Sequence, residues 1–156
     1  METFTAIHVI ISLIAIFTGL VVLVAMLSNK DLSRLTAIFL IFTIATSVTG
    51  FFFPFHGFTP AIGVGIISLV LLTIAVVARY VGHTRGFWRW FYIITALMSL
   101  YLNCFVLVVQ LFQKVPALKA IAPTQTEPPF AATQIIVLIA FVVLTVISLI
   151  RFRPNR

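Results

Sequence analysis

The chain is 156 residues long, 62% of them hydrophobic and only 8% charged, with a formal net charge of +7. A soluble domain of this size needs a charged surface that so few ionisable residues cannot supply, and the mean hydropathy of +1.24 points to lipid as the solvent. The basic excess does not indicate nucleic acid, because no recognition helix, zinc-ligand spacing or basic stripe with interleaved aromatics accompanies it.

Apolar runs of about 20 residues match a hydrocarbon layer about 30 Å thick. Five of them occupy nearly the whole chain, which predicts an all-α fold: a polytopic membrane helix bundle with five transmembrane helices, residues 1–156 forming a single transmembrane domain. The first span covers Thr5–Leu27. The stretch METFTAIHVII has no basic n-region, so this run reads as a retained helix rather than a cleaved signal peptide. The polar break SNKDLSR follows, with Asp31 expected to act locally, near Arg34 or at the next helix start.

The second span covers Leu35–Phe53. Thr36, Thr43, Ser47 and Gly50 recur along it at helical spacing, as a small-residue packing face would. It ends in GFFFPFHGFTP, where Pro54 stops a helix and Pro60 suits the first position of another. The third span, Ala61–Val81, follows this elbow. GHTRG leads to the fourth, Phe87–Phe112, and QKVPALKAIAPTQTEPPF leads to the fifth, Ala131–Ile150. Within that connection KVPALKAIA reads as a short interfacial helix, and Pro116, Pro123, Pro128 and Pro129 stiffen the rest into a cap.

Threading the chain five times puts Lys30, Arg34, Arg79, Arg85, Arg89, Arg151, Arg153 and Arg156 on one side and only Lys114 and Lys119 on the other. This asymmetry predicts an amino terminus outside and a carboxyl terminus in the cytoplasm. Arg85, Trp88, Arg89 and Trp90 then read as cytoplasmic interface anchors of the fourth helix.

The polar residues inside the spans concentrate in the outer half. Asn103 and Gln110 lie near one helical face, and a rise of about 1.5 Å per residue places Asn103 past the midplane. An amide in hydrocarbon needs a hydrogen-bond partner, supplied by another helix or by a ligand. His56 in the elbow, Glu127 in the last connection and Gln134 early in the fifth span share that depth. His56, Asn103, Gln110, Glu127 and Gln134 are therefore the ligand- or partner-binding candidates, on depth alone.

Haem would use His8 and His56, and a quinone would use His56, Asn103 or Gln110, but no CxxCH motif or electron relay accompanies either, so no cofactor is predicted. The single cysteine, Cys104, excludes an intramolecular disulfide and a Cys-rich metal centre. No catalytic residues and no metal site emerge, since no Ser/His/Asp arrangement is apparent. Transport lacks a carboxylate deep in a span. The expected function is non-enzymatic: an integral membrane protein binding a partner, lipid or small apolar ligand at its outer face. A haem- or quinone-binding redox protein and an oligomeric channel or small transporter are the alternatives. Membrane lipids, a second copy of the chain or another membrane protein are the expected partners, and nucleic acid is not.

The ordered run WRWFY…ALMSLYLNCFVLVVQLFQKVPAL…APTQTEPPF resembles small uncharacterised bacterial multi-pass membrane proteins. The resemblance implies a bacterial inner-membrane setting and assigns no catalytic residue.

Overall fold

A computed structural model describes residues 1–155. The helices are α1 (Glu2–Leu27), α2 (Ser33–Gly50), α3 (Pro60–Val76), α4 (Phe87–Lys114), α5 (Pro116–Ile121) and α6 (Pro128–Arg151), and α3 continues through a π-helical turn, Val77–Val81. Five of these segments are long and apolar enough to cross a membrane, and α5 is the short exception. The fold is all-α, a polytopic helix bundle with no strand among the described residues.

Local chemistry sets the helix limits. Helix α2 stops at Gly50, ahead of Pro54, and the chain leaves it through turns in which the Phe51 and Phe52 N–H groups donate to Val48 O and Thr49 O. Helix α3 restarts at Pro60, where the Thr59 hydroxyl accepts from the Ile62 N–H at 3.3 Å. Prolines also open α5 and α6. Inside the spans most Ser and Thr hydroxyls donate to the carbonyl one turn back, as Thr18 does to Ile14 O and Ser99 to Thr95 O. Such bonds neutralise the hydroxyl within its own helix and make no link between helices.

Helix α1 packs along α2, α2 on α3 and α3 on α4, while α4 closes the ring against α1. Helix α6 lies over α4 and α1 and leaves Ile136, Ile139 and Val143 on an exposed apolar face. Gly19 permits the close approach of α1: a Cβ there would sit 2.6 Å from Leu100 Cδ1 and 2.8 Å from the Phe39 ring. Thr36, Thr43 and Ser47 of the small-residue face are all buried.

The densest core, built on Met26, Phe39, Leu40, Leu72, Tyr92, Leu97 and Phe152, lies toward the end that holds the α1–α2 and α3–α4 turns and the end of α6. We call this the basic end, and the opposite one, with residues 51–59, the elbow end. The basic end is bound together by polar contacts. Arg79 Nη2 meets Asp31 Oδ1 at 2.8 Å, and its guanidinium lies 5.3 Å from the centre of the Tyr92 ring. Asp31 thus serves the π turn of another helix rather than Arg34 or its own helix start. The Arg151 guanidinium donates to Leu27 O and the Arg153 N–H to Asn29 Oδ1, tying the chain's end to the α1–α2 turn.

Candidate functional site

The larger core cluster lies toward the basic end. A smaller one, Val108, Phe112 and Ala122, packs α4 on α5 and α6, while the elbow end retains space between α1, α2, α3 and α4. A cavity of about 390 Å3 lies between α1, α2, α3, α4 and the elbow, within the usual range of about 300–1,000 Å3 for small-molecule sites. Phe51, Phe53 and Phe55 form much of its apolar wall, with Ile62, Val64 and Val106. Gly65 belongs to the lining because Phe51 lies across it; a Cβ would come within 2.9 Å of Phe51 Cζ. Ser68 is two helical turns beyond Pro60, so at about 1.5 Å per residue the cavity penetrates about 12 Å from the start of α3.

Polar groups reach this space from every surrounding helix. His8 comes from α1, Thr46 and Ser47 from α2, Ser68 from α3 and Asn103 from α4, while His56 and Thr59 come from the elbow. His8 Nδ1 lies 2.7 Å from Thr49 Oγ1. The Thr49 hydroxyl has one proton and donates it to Ala45 O at 2.7 Å, so towards His8 it accepts. His8 Nδ1 therefore carries the ring proton, and Nε2 of the neutral imidazole is left as an acceptor. Phe53 holds the ring edge-on at 5.0 Å between centroids.

The Asn103 carboxamide makes no hydrogen bond to any other described residue, and its Nδ2 is fully enclosed. Ser47 and Ser68 are 8% and 3% exposed, and neither hydroxyl bonds another described residue. Folded proteins satisfy nearly all buried polar groups, and in this lining Asn103 Nδ2 is the one enclosed polar atom without a partner among the described residues. His8 and His56 are the only ionisable side chains in the lining, which contains no Lys, Arg, Asp or Glu.

The five binding candidates divide. His56 and Asn103 share the cavity, His56 exposed in the elbow and Asn103 at the inner wall, and His8 joins them. Gln110, Glu127 and Gln134 do not line it. Gln110 is half-buried on α4. Glu127 organises the connection into α6: one carboxylate oxygen accepts from the Thr124 hydroxyl at 2.6 Å and the other from the Thr126 N–H at 3.1 Å. The Thr124 hydroxyl, followed by the backbone N–H groups of Glu127 itself, Thr124 and Thr126, holds its carboxyl below the usual glutamate range. Gln134 joins α6 to α4 by donating to Phe105 O at 3.2 Å. Depth along a helix does not fix direction around it, and these three residues share only depth with His56.

Ser47 and Ser68 were missed as site residues. Ser47 reads in the sequence as part of the packing face, and Ser68 is one small polar residue in an apolar run. Its one available signal is a hydroxyl deep in a span.

At the basic end, Arg89 Nη1 donates to Leu149 O and Phe152 O, each at 2.8 Å, and so satisfies carbonyls at the end of α6. Trp88 packs over Gly82, Trp90 is exposed with the Arg89 guanidinium 5.4 Å from its ring centre, and Arg85 is exposed. Among the described residues, no group of three or more His, Cys, Asp or Glu side chains is placed to hold a metal ion. Compared with protein-family models, curated proteins and solved structures, the chain matches none.

Proposed function

We propose that the protein is a non-enzymatic bacterial inner-membrane protein that binds a lipid or small apolar ligand in the cavity at its elbow end. The observation that carries this reading is the 390 Å3 space walled by Phe51, Phe53 and Phe55 and reached by polar groups from four helices. The eight-to-two division of basic residues supports an amino terminus outside and a carboxyl terminus in the cytoplasm, with the cavity in the outer half of the membrane. The exposed apolar faces of α1 and α6 suit surrounding lipid, which is also the source of the ligand. The resemblance of the sequence to small bacterial membrane proteins supports the setting.

Photolabelling with an alkyl diazirine tests the reading. Saturable labelling is expected in the elbow and around Val106, and an excess of unlabelled ligand should compete with it. Labelling that stays proportional to probe concentration and falls only on lipid-facing residues such as Ile136 and Val143 would refute the proposal.

A further inference from the structure

The binding reading leaves the chemistry of the ligand's head open, and the polar lining restricts it. A phosphate or carboxylate placed against the inner wall would meet no Lys or Arg, and an ammonium group would meet no Asp or Glu. An unpaired charge in such a place is left without compensation, which disfavours a charged head. An uncharged head avoids that cost.

The inner wall asks for hydrogen bonds in both directions. His8 Nε2 accepts, because Nδ1 donates to Thr49. The Ser47 and Ser68 hydroxyls each donate or accept and have no partner in another described residue. The Asn103 carboxamide is equally unengaged, and rotation about its last side-chain torsion presents either the NH2 group or the carbonyl oxygen to the cavity. One such group comes from each of α1, α2, α3 and α4. A head with only acceptors offers His8 Nε2 no donor, and a bare alkyl chain engages none of the four residues and leaves Asn103 Nδ2 without a partner.

We propose that the cavity binds an uncharged lipid whose small head carries a hydroxyl donor together with further acceptor oxygens, with its apolar remainder against the elbow phenylalanines. Acylglycerols and hydroxylated ring lipids of the quinol class share that head chemistry. The hydroxyl donates toward His8 Nε2, and the remaining oxygens engage Asn103, Ser47 and Ser68. This inference rests on the cavity being a binding site and adds the class of its ligand.

The test uses the full chain in uncharged detergent, with binding followed by native mass spectrometry. The probes are monooleoylglycerol, a short-chain quinol, oleate, oleylamine and dioleoyl phosphatidate. At least one neutral probe should bind about tenfold more tightly than every charged one, and which one binds separates the two sources of the head chemistry. Asn103→Leu should weaken that neutral probe about tenfold and Ser68→Ala several-fold. Ser68→Ala carries the comparison if Asn103→Leu fails to fold. Equal affinity for charged and neutral heads, or no loss in a folded variant, overturns the head-group assignment. Retained saturable labelling then leaves the binding reading standing, and its absence in the wild type overturns both.

Discussion

Asn103→Leu should make the ligand-free protein more stable. The carboxamide sits in the upper half of α4 with Nδ2 enclosed and unpartnered. An unsatisfied buried polar group costs about 1–3 kcal/mol. Leucine has a similar shape and no such requirement, so the substitution should recover about 1 kcal/mol or more. For a chain of this size each kcal/mol moves Tm by about 2–4 °C. Unfolding can be followed with a thiol-reactive dye, since Cys104 is the only cysteine and is partly buried beside the core. The protein should first be stripped of bound lipid. If Asn103 instead served an interhelical hydrogen bond, its loss would cost about 0.6 kcal/mol and Tm would fall. The two accounts differ in sign, so a lower Tm in the stripped variant refutes the assignment of this amide to a ligand. Adding a ligand at about 100 times its Kd should raise wild-type stability by about 2.7 kcal/mol and the variant's by less.

Other substitutions test the frame around the cavity. Asp31→Asn leaves the Arg79 guanidinium, 8% exposed, without its carboxylate; because Asp31 is 35% exposed and Tyr92 still faces the cation, the loss should be about 2 kcal/mol rather than the 3–5 of a fully buried pair. Thermal unfolding of the single variant and of Asp31→Asn/Arg79→Met checks this, the double variant recovering part of the loss. Gly19→Val forces a side chain against Leu100 and Phe39, both fully buried, and should cost about 1–3 kcal/mol in the same assay. Glu127 has a folded pKa below its ordinary 4.5, so its contribution is present above that value and is lost as pH falls through the lowered one. Amide exchange at Thr124 and Thr126 should accordingly be faster in Glu127→Gln at neutral pH, and the wild type should approach the variant in acid.

The five spans were legible because lipid requires long apolar runs whose backbone groups are satisfied within the segment. The elbow was legible from Pro54 and Pro60, and the short α5 from KVPALKAIA. The Arg79–Asp31 pair was not, since the partners are 48 residues apart and nothing local links them. Around the cavity, the placement of His56 and Asn103 toward the elbow end was readable from residue counts. That Gln134 turns to Phe105 O and Glu127 folds onto its own loop depends on helix rotation, which the apolar periodicity of a lipid-facing helix fixes weakly. His8 drew notice as a possible haem ligand, yet its bond to Thr49 joins α1 to α2 through a pair that sequence spacing does not reveal. Ser68 shows the limit most clearly, because one hydroxyl in an apolar span looks the same whether it bonds its own helix or faces a cavity.

The central claim is that the cavity between α1, α2, α3 and α4 is a binding site for a lipid-soluble molecule. The most direct measurement is an experimental density map of the protein purified gently from its own membrane into lipid nanodiscs. The account predicts elongated non-protein density between Phe51, Phe53 and Phe55, with one end within hydrogen-bonding distance of Asn103 and Ser68. A cavity closed by those phenylalanines, with the Asn103 amide bonded to a neighbouring helix, would contradict it.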